Sequence, residues 1–447
     1  MLATVNLAAA CSGSEQPAAP GSSLPPSTTG GTFVVPDDPA DEVACTQALA
    51  GTELIIDVHT HHVMPDGPWR QNVPAIAAML YPLVPDACNE ADPFLCLDRQ
   101  AYVRDMFLAS DTTVALISDV PSSGVESDSP IPFEDQVATH DFVKALGGEG
   151  EPRVMVQSII APNFFERSEL LDRMEQQAAT GTVASFKAYT AWGPDRQGYR
   201  LDDPVIGLPA LEQAQQLGVK VIAAHKGLPI QGFDQRFNDP DDVVAAAKLF
   251  PDMNFVVYHS GFERETTEGP YDPARAARGT NALIRSMDTH GMPPHSNVWC
   301  ELGTTWRETM SNPTEAAHVL GKLLTRMGDD RVLWGTDGIW LGSPQPQIMA
   351  FRAFQISEEY QERFGYPALT PATKAKIFGL NAANLLGLDP EATRCGLDES
   401  RLAEARLVHQ QLHRDGAISE PWAARAPLTR RQVLSWLRNP GASLSPF

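Results

Sequence analysis

Ile55-Ile56-Asp57-Val58-His59-Thr60-His61 is an apolar run that ends in two histidines one residue apart. Side chains on a strand alternate faces with a period of two, so His59 and His61 point the same way. Two imidazoles converging on one point make half of a metal site. A surface strand closed by two polar residues has the same local pattern, so the rest of the chain must decide between them.

Outward from that strand, short apolar or β-branched runs alternate with longer amphipathic ones. The runs are Leu54–His59, Thr113–Val120, Arg153–Pro162, Val183–Tyr189, Val219–His225, Asn254–His259, Asn297–Gly303 and Arg331–Asp337. Helical patterns lie between or after them, at Phe133–Ala145, Arg167–Ala178, Leu208–Leu217, Asp241–Phe250, Thr314–Met327 and Pro346–Phe364. From the fourth run on, units recur every roughly 35 to 45 residues, the length a strand, a crossover helix and two loops require. Strand–helix alternation implies parallel strands, and eight units close into an α/β fold of the (β/α)8 TIM-barrel type over residues 51–388. An open doubly wound sheet is the competitor; the first strand lacks the Gly-x-Gly-x-x-Gly turn that would favour it. Lys376–Leu388 reads as a closing helix with Ile377, Leu380, Ala383 and Leu386 on one face. Residues 389–447 read as a helical extension, with a charged helix over Glu399–His413 and a short one started by Thr429.

The chain has 447 residues, 43% of them hydrophobic, enough for one large barrel with terminal extensions. Its formal charge of -22 is spread along the sequence. Nucleic acid and anionic membrane surfaces are therefore poor partners. Residues 1–50 differ in composition: the short apolar run Leu7–Ala10 ends at Cys11, and a Gly, Ser, Pro and Thr-rich stretch comes next. This pattern suits the tail of an export leader and a disordered linker, with Cys11 as the candidate lipid-anchor site of a periplasmic or outer-membrane lipoprotein. No Lys or Arg precedes the run, so either the true start lies upstream or the segment is simply a disordered tail, with a cytoplasmic location as the alternative. No later segment has the roughly 20 apolar residues that a membrane-spanning helix needs. Of six cysteines, Cys88 and Cys96 are close enough to pair in an oxidising compartment. A homo-oligomer stays open.

In a barrel of this kind, chemistry sits at the carboxyl ends of the strands. Those ends offer His59 and His61, then Lys187, His225, His259 and Asp337. Taken singly, His225 and His259 would suit hydrogen-bonded core residues, and Asp337 in Gly335-Thr336-Asp337-Gly338 would suit a turn former. Their joint placement instead points to a divalent metal held by nitrogen and oxygen. His62, turned away from the pair, is expected to be structural. Other histidines, such as His290, His295, His318, His409 and His413, fall in loops or on helix surfaces.

The motifs Ile56-Asp57-Val58-His59-Thr60-His61, Ala224-His225-Lys226-Gly227, Tyr258-His259-Ser260-Gly261 and Gly335-Thr336-Asp337 resemble the amidohydrolase superfamily. They are similar in particular to the branch that contains aminocarboxymuconate-semialdehyde decarboxylase. The resemblance implies that His59, His61, His225 and Asp337 bind one divalent metal, commonly zinc, with His259 as the acid–base or water-orienting histidine. Ser185-Phe186-Lys187-Ala188-Tyr189 is similar to the fourth strand of dihydropyrimidinase-like amidohydrolases, whose lysine is carboxylated and bridges two metals. On that resemblance Lys187 joins the ligands, His225 and His259 hold a second ion, and the centre is binuclear. A lysine that stays an ammonium and binds a substrate carboxylate is the alternative.

The expected function is hydrolysis by metal-activated water of an amide, lactone or ester-like C–N or C–O bond in a small molecule. Asp337 is the expected proton shuttle. A metal-dependent decarboxylase of a small unsaturated or aromatic acid is the second enzymatic reading, and an exported metal-binding protein without turnover is the third. Loops set the substrate. The one from Tyr189 to Asp203 offers Trp192, Arg196, Tyr199 and Arg200 to a ring and a carboxylate; another carries Glu301, Trp306 and Arg307.

Overall fold

The structure is a computed structural model that describes residues 29–35, 51–85, 88–147, 152–340, 342–398, 401–418 and 437. Eight parallel strands form one sheet in which each strand pairs with the next in sequence. They are β1 Ile56–Thr60, β2 Val114–Ser118, β3 Val154–Ile160, β4 Val183–Ala188, β5 Val221–His225, β6 Asn254–Tyr258, β7 Val298–Glu301 and β8 Val332–Leu333. These match the eight apolar runs, trimmed at their ends. After Leu333 the chain runs beside β1: the Val58 N–H donates to the Trp334 carbonyl (3.1 Å) and the His61 N–H to the Gly338 carbonyl (2.5 Å). These bonds bring the eighth unit against the first and nearly close the TIM barrel.

The strands read as continuous apolar runs because both faces are buried. Val221, Ala223, Val256, Tyr258, Trp299 and Leu333 cluster with Ala382 and Ala383 of the closing segment. Their strand neighbours Ile222, Ala224, Phe255, Val257 and Val298 pack with Leu211, Val244 and Leu283 of the surrounding helices.

Two helices differ from expectation. The pattern over Pro346–Phe364 is split into helices Gln345–Ala353 and Glu358–Phe364 by a strand, Phe354–Ile356, which pairs antiparallel with Gly31–Phe33. The Phe33 and Phe354 rings meet edge to face at 5.4 Å. Ser357 then caps the second helix by accepting from the Tyr360 N–H. Gly31–Phe33 lies within the region read as leader and linker, yet it is a strand. The closing helix contains a π turn at Lys376–Leu380. The wider turn shifts the face by one residue, so Ile377, Phe378, Ala382 and Ala383 are buried while Leu380 is exposed.

Helices Pro390–Asp398 and Arg401–Arg414 come after the barrel. His318 and His409, read as surface residues, are buried, with His318 Nδ1 3.0 Å from the Tyr366 hydroxyl. Cys88 and Cys96 form a disulfide. No described helix is long and apolar enough to cross a membrane. Cys11, most of residues 1–50 and Thr429 lie outside the described residues.

Candidate metal centre

The pairing of β1 with β2 is irregular between Asp57 and Thr60, and the two histidines sit where that irregularity re-aims the chain. Asp57 fixes the local backbone. Its carboxylate accepts from the His59 N–H (3.1 Å), the Thr336 N–H (3.1 Å) and the Thr336 hydroxyl (2.5 Å). One buried acid thus ties β1 to the segment that carries Asp337. Burial pushes its carboxyl up to about 7 against the pull of those bonds.

His61 Nδ1–H donates to the Ser118 carbonyl at the end of β2 (2.6 Å), which leaves the Nε2 lone pair free. That Nε2 lies 3.4 Å from Asp337 Oδ1, and so does His59 Nε2. The His61 ring stacks on Trp340, whose indole N–H donates to Asp337 Oδ1 (3.1 Å). Thr304 donates to the other oxygen, Oδ2, at 2.6 Å. Burial alone would raise the Asp337 carboxyl, but the imidazoles of His59, His61 and His259 outweigh it and hold it well below its ordinary value.

Across the barrel, His259 Nδ1–H donates to the Gly303 carbonyl (2.7 Å), and its Nε2 faces His225 Nδ1 at 3.1 Å. Lys187 Nζ lies 3.1 Å from His59 Nε2 and 3.2 Å from the Ser118 hydroxyl, between the faces of Tyr189 and Tyr258. Burial lowers every one of these bases. Lys187 falls to about 7, His259 to about 4, and His59 and His225 well below their usual range. The imidazoles are therefore neutral, the state in which they ligate metals.

Glu301 at the end of β7 is a site residue that the sequence pattern placed only in a loop wall. Its Oε2 lies 3.4 Å from His59 Nδ1 and accepts from the His259 N–H (3.0 Å), while Oε1 accepts from the Gly303 N–H. A carboxylate behind a histidine orients the ring and sharpens its outward nitrogen. A Cβ added at Gly303 or Gly335 would collide with the Glu301 carboxylate, so those glycines make room for it. His259, Ser260, Thr304 and Asp337 all have left-handed φ, between 52° and 59°. Non-glycine residues held in that region cluster at functional sites.

Among the described residues, donor atoms of His59, His259 and Asp337 lie within 4.8 Å of one another. His61 extends this group on the Asp337 side and His225 on the His259 side. For metal–nitrogen bonds of about 2.0–2.1 Å, two ligands of a tetrahedral ion stand about 3.3 Å apart. The 3.4 Å and 3.1 Å separations match that edge. Nitrogen and oxygen donors without a thiolate fit a divalent metal.

These side chains line a cavity of about 160 Å³. Its remaining wall comes from Met79, Leu80 and Leu83, from Val120, Tyr189, Leu228 and Ile230, and from Arg264, Arg307 and Trp340. The four residues expected to contact substrate do not line it. Trp192 is half-buried against Phe233 (6.2 Å), Tyr199 is buried in the core, and Arg196 is exposed. Arg200 is paired with Asp202 and Asp241 on the surface. His62 is buried behind the site, 2.8 Å from the Thr139 hydroxyl, as strand alternation requires.

Among solved structures, the chain is similar to 5-carboxyvanillate decarboxylase from Sphingomonas paucimobilis (12% identity, 76% of this chain and 100% of that one, TM-score 0.44). It is also similar to a manganese-bound dihydroxybenzoic acid decarboxylase from Polaromonas (12%, 75% and 97%, 0.45). A third is an amidohydrolase from Mycobacterium avium subsp. paratuberculosis (15%, 76% and 100%, 0.41). No curated protein sequence matches. The amidohydrolase family model matches residues 56–388, well over half of the sequence and every strand of the barrel, and the chain belongs to that family.

Proposed function

We propose that this protein is a metal-dependent hydrolase that cleaves an amide, lactone or ester-like C–N or C–O bond of a small molecule. The observation that carries the reading is Asp337. One oxygen meets the ligand nitrogens of His59 and His61, and the other is held by Thr304. Held below the usual carboxylate range, Asp337 stays ionised at neutral pH and accepts a proton from the nucleophile. The same carboxyl then delivers that proton to the leaving group. His59, His61 and Asp337 would hold one ion, and His225 and His259 a second. Lys187, carboxylated on Nζ, would be shared between them; its depressed pKa supports this, because only the neutral amine takes up carbon dioxide. Zinc is the ion that suits these donors best. When bound, the metal supplies Lewis-acid activation of water and of the scissile carbonyl.

The test is product analysis on the metal-loaded protein over a panel of small esters, lactones, amides and carboxylic acids. Hydrolysis products support the reading. Released carbon dioxide would reassign the protein as a decarboxylase, and a metal-loaded chain without turnover would reassign it as a binding protein. Export is proposed alongside, supported by the Cys88–Cys96 disulfide, which oxidising compartments favour. Detection of the chain only in the cytoplasmic fraction of its source cell would overturn it.

A further inference from the structure

Arg307 is 3% exposed and lines the cavity at the strand ends. Its Nη2 donates to Thr304 Oγ1 (3.3 Å), and Thr304 donates to Asp337 Oδ2 (2.6 Å). The guanidinium is thus one hydroxyl away from the proposed base. Glu308 is 3.9 Å from Nη2 and is already engaged by Arg264 at 2.9 Å. Nε and Nη1 have no hydrogen-bond partner among the described residues. Nε carries one N–H and Nη1 two, and a buried cationic donor left without an acceptor is strongly destabilising. A fold that keeps such a group beside a cavity provides a seat for an anion.

The neighbouring wall is apolar, from Leu80, Leu83, Val120, Leu228 and Ile230, and the cavity of about 160 Å³ falls below the roughly 300–1,000 Å³ of pockets for drug-sized ligands. With a net charge of -22, the chain as a whole repels anions, so selection for one must come from a local cation. Planar guanidinium suits planar carboxylate.

We propose that the substrate is a small carboxylic acid whose carboxylate is held by Arg307 and retained through the reaction, with its scissile carbonyl placed against Asp337. One water is added across the C–N or C–O bond, and the carboxylate on Arg307 is unchanged. The reaction part of this inference rests on the hydrolase reading; the carboxylate seat rests on Arg307 alone.

Calorimetric titration of the metal-loaded protein with benzoate, and with benzamide as its neutral counterpart, tests the seat without requiring turnover. Benzoate is expected to bind the wild type, and R307Q to weaken it about 10- to 100-fold, the scale of a lost charge-assisted contact, with metal content and benzamide titration unchanged. R307K keeps the charge but loses the planar fork; it is expected to weaken benzoate less, and it serves as the test if R307Q does not fold. Absence of benzoate binding to the wild type, or equal binding by the wild type and the variant, overturns the inference. A protein that binds benzoate through Arg307 but hydrolyses nothing would instead remove the hydrolase reading alone.

Discussion

His259 Nε2 and His225 Nδ1 face each other at 3.1 Å, while the far nitrogens of the two rings point at the Gly303 and Leu228 carbonyls (2.7 and 3.3 Å). A neutral imidazole carries one N–H. Each of the three contacts needs a proton, and the two neutral rings supply only two. Burial opposes a third proton, since it lowers His259 to about 4 and His225 well below its usual range. A divalent ion held by the facing lone pairs would resolve the conflict, because both N–H groups would then serve the carbonyls.

Elemental analysis of protein purified without chelator is therefore expected to give about two divalent ions per chain, the count of a two-metal hydrolytic site. His259→Asn removes one of the facing lone pairs and should lower that count by about one. An unchanged count in this variant would remove the pair from the metal centre.

Lys187 allows a test through pH. The unfolded chain keeps the lysine proton up to about 10.5, whereas the folded chain releases it near 7. Between those values the unfolded state binds more protons, so stability rises with pH. In metal-free protein, the melting temperature of the wild type should climb toward that of K187M from pH 7 to pH 10 and hold a constant deficit below pH 7. A deficit that does not change across this range would show that burial does not depress the amine. In metal-loaded protein, K187A is expected to hold about one ion where the wild type holds about two, since the shared ligand is gone.

Glu301 acts through His59, so its test is the metal rather than the chemistry. Gly335→Ala places a methyl where the Glu301 carboxylate sits. The acid must move away from His59 Nδ1, and disturbing such a partner typically costs about 10- to 100-fold in metal affinity. Competition with a chelator measures this. Wild-type affinity in G335A, with the fold intact by circular dichroism, would make Glu301 a packing group only.

The eight strands and the cluster of polar residues at their ends were legible because burial on both faces makes long apolar runs and polar side chains interrupt those runs at one end only. Glu301 was less legible. It closes β7 as His225 closes β5, but an acid followed by Leu302-Gly303 looks like the start of a loop until the neighbouring glycines are seen to make room for it. The cavity wall was legible only in part: Arg307, from the loop after β7, lines it, whereas Met79–Leu83 and Trp340 come from segments that carry no ligand-like pattern of their own. The Tyr189–Asp203 loop carries the right residue types, yet Asp241 draws Arg200 to the surface and Tyr199 fills the core. The split of the expected helix over Pro346–Phe364 likewise depends on a distant partner, Gly31–Phe33.

Asp337 combines two demands that substitution can separate. Its φ of 58° is left-handed, a conformation that aspartate and asparagine tolerate and that costs most other residues about 1–2 kcal/mol. Its charge, in contrast, serves the imidazoles around it, the proposed metal and the chemistry. Asp337→Asn keeps the shape and loses the charge, so its melting temperature should fall less than that of Asp337→Ala while kcat falls about 10²- to 10⁴-fold. Asp337→Ala loses both, and should melt several degrees lower with a similar loss of kcat. Thermal melts of metal-free protein isolate the backbone effect, and single-substrate kinetics on the metal-loaded protein isolate the charge. If Asp337→Asn keeps wild-type kcat, proton transfer belongs to another group, and His259 is the next to test.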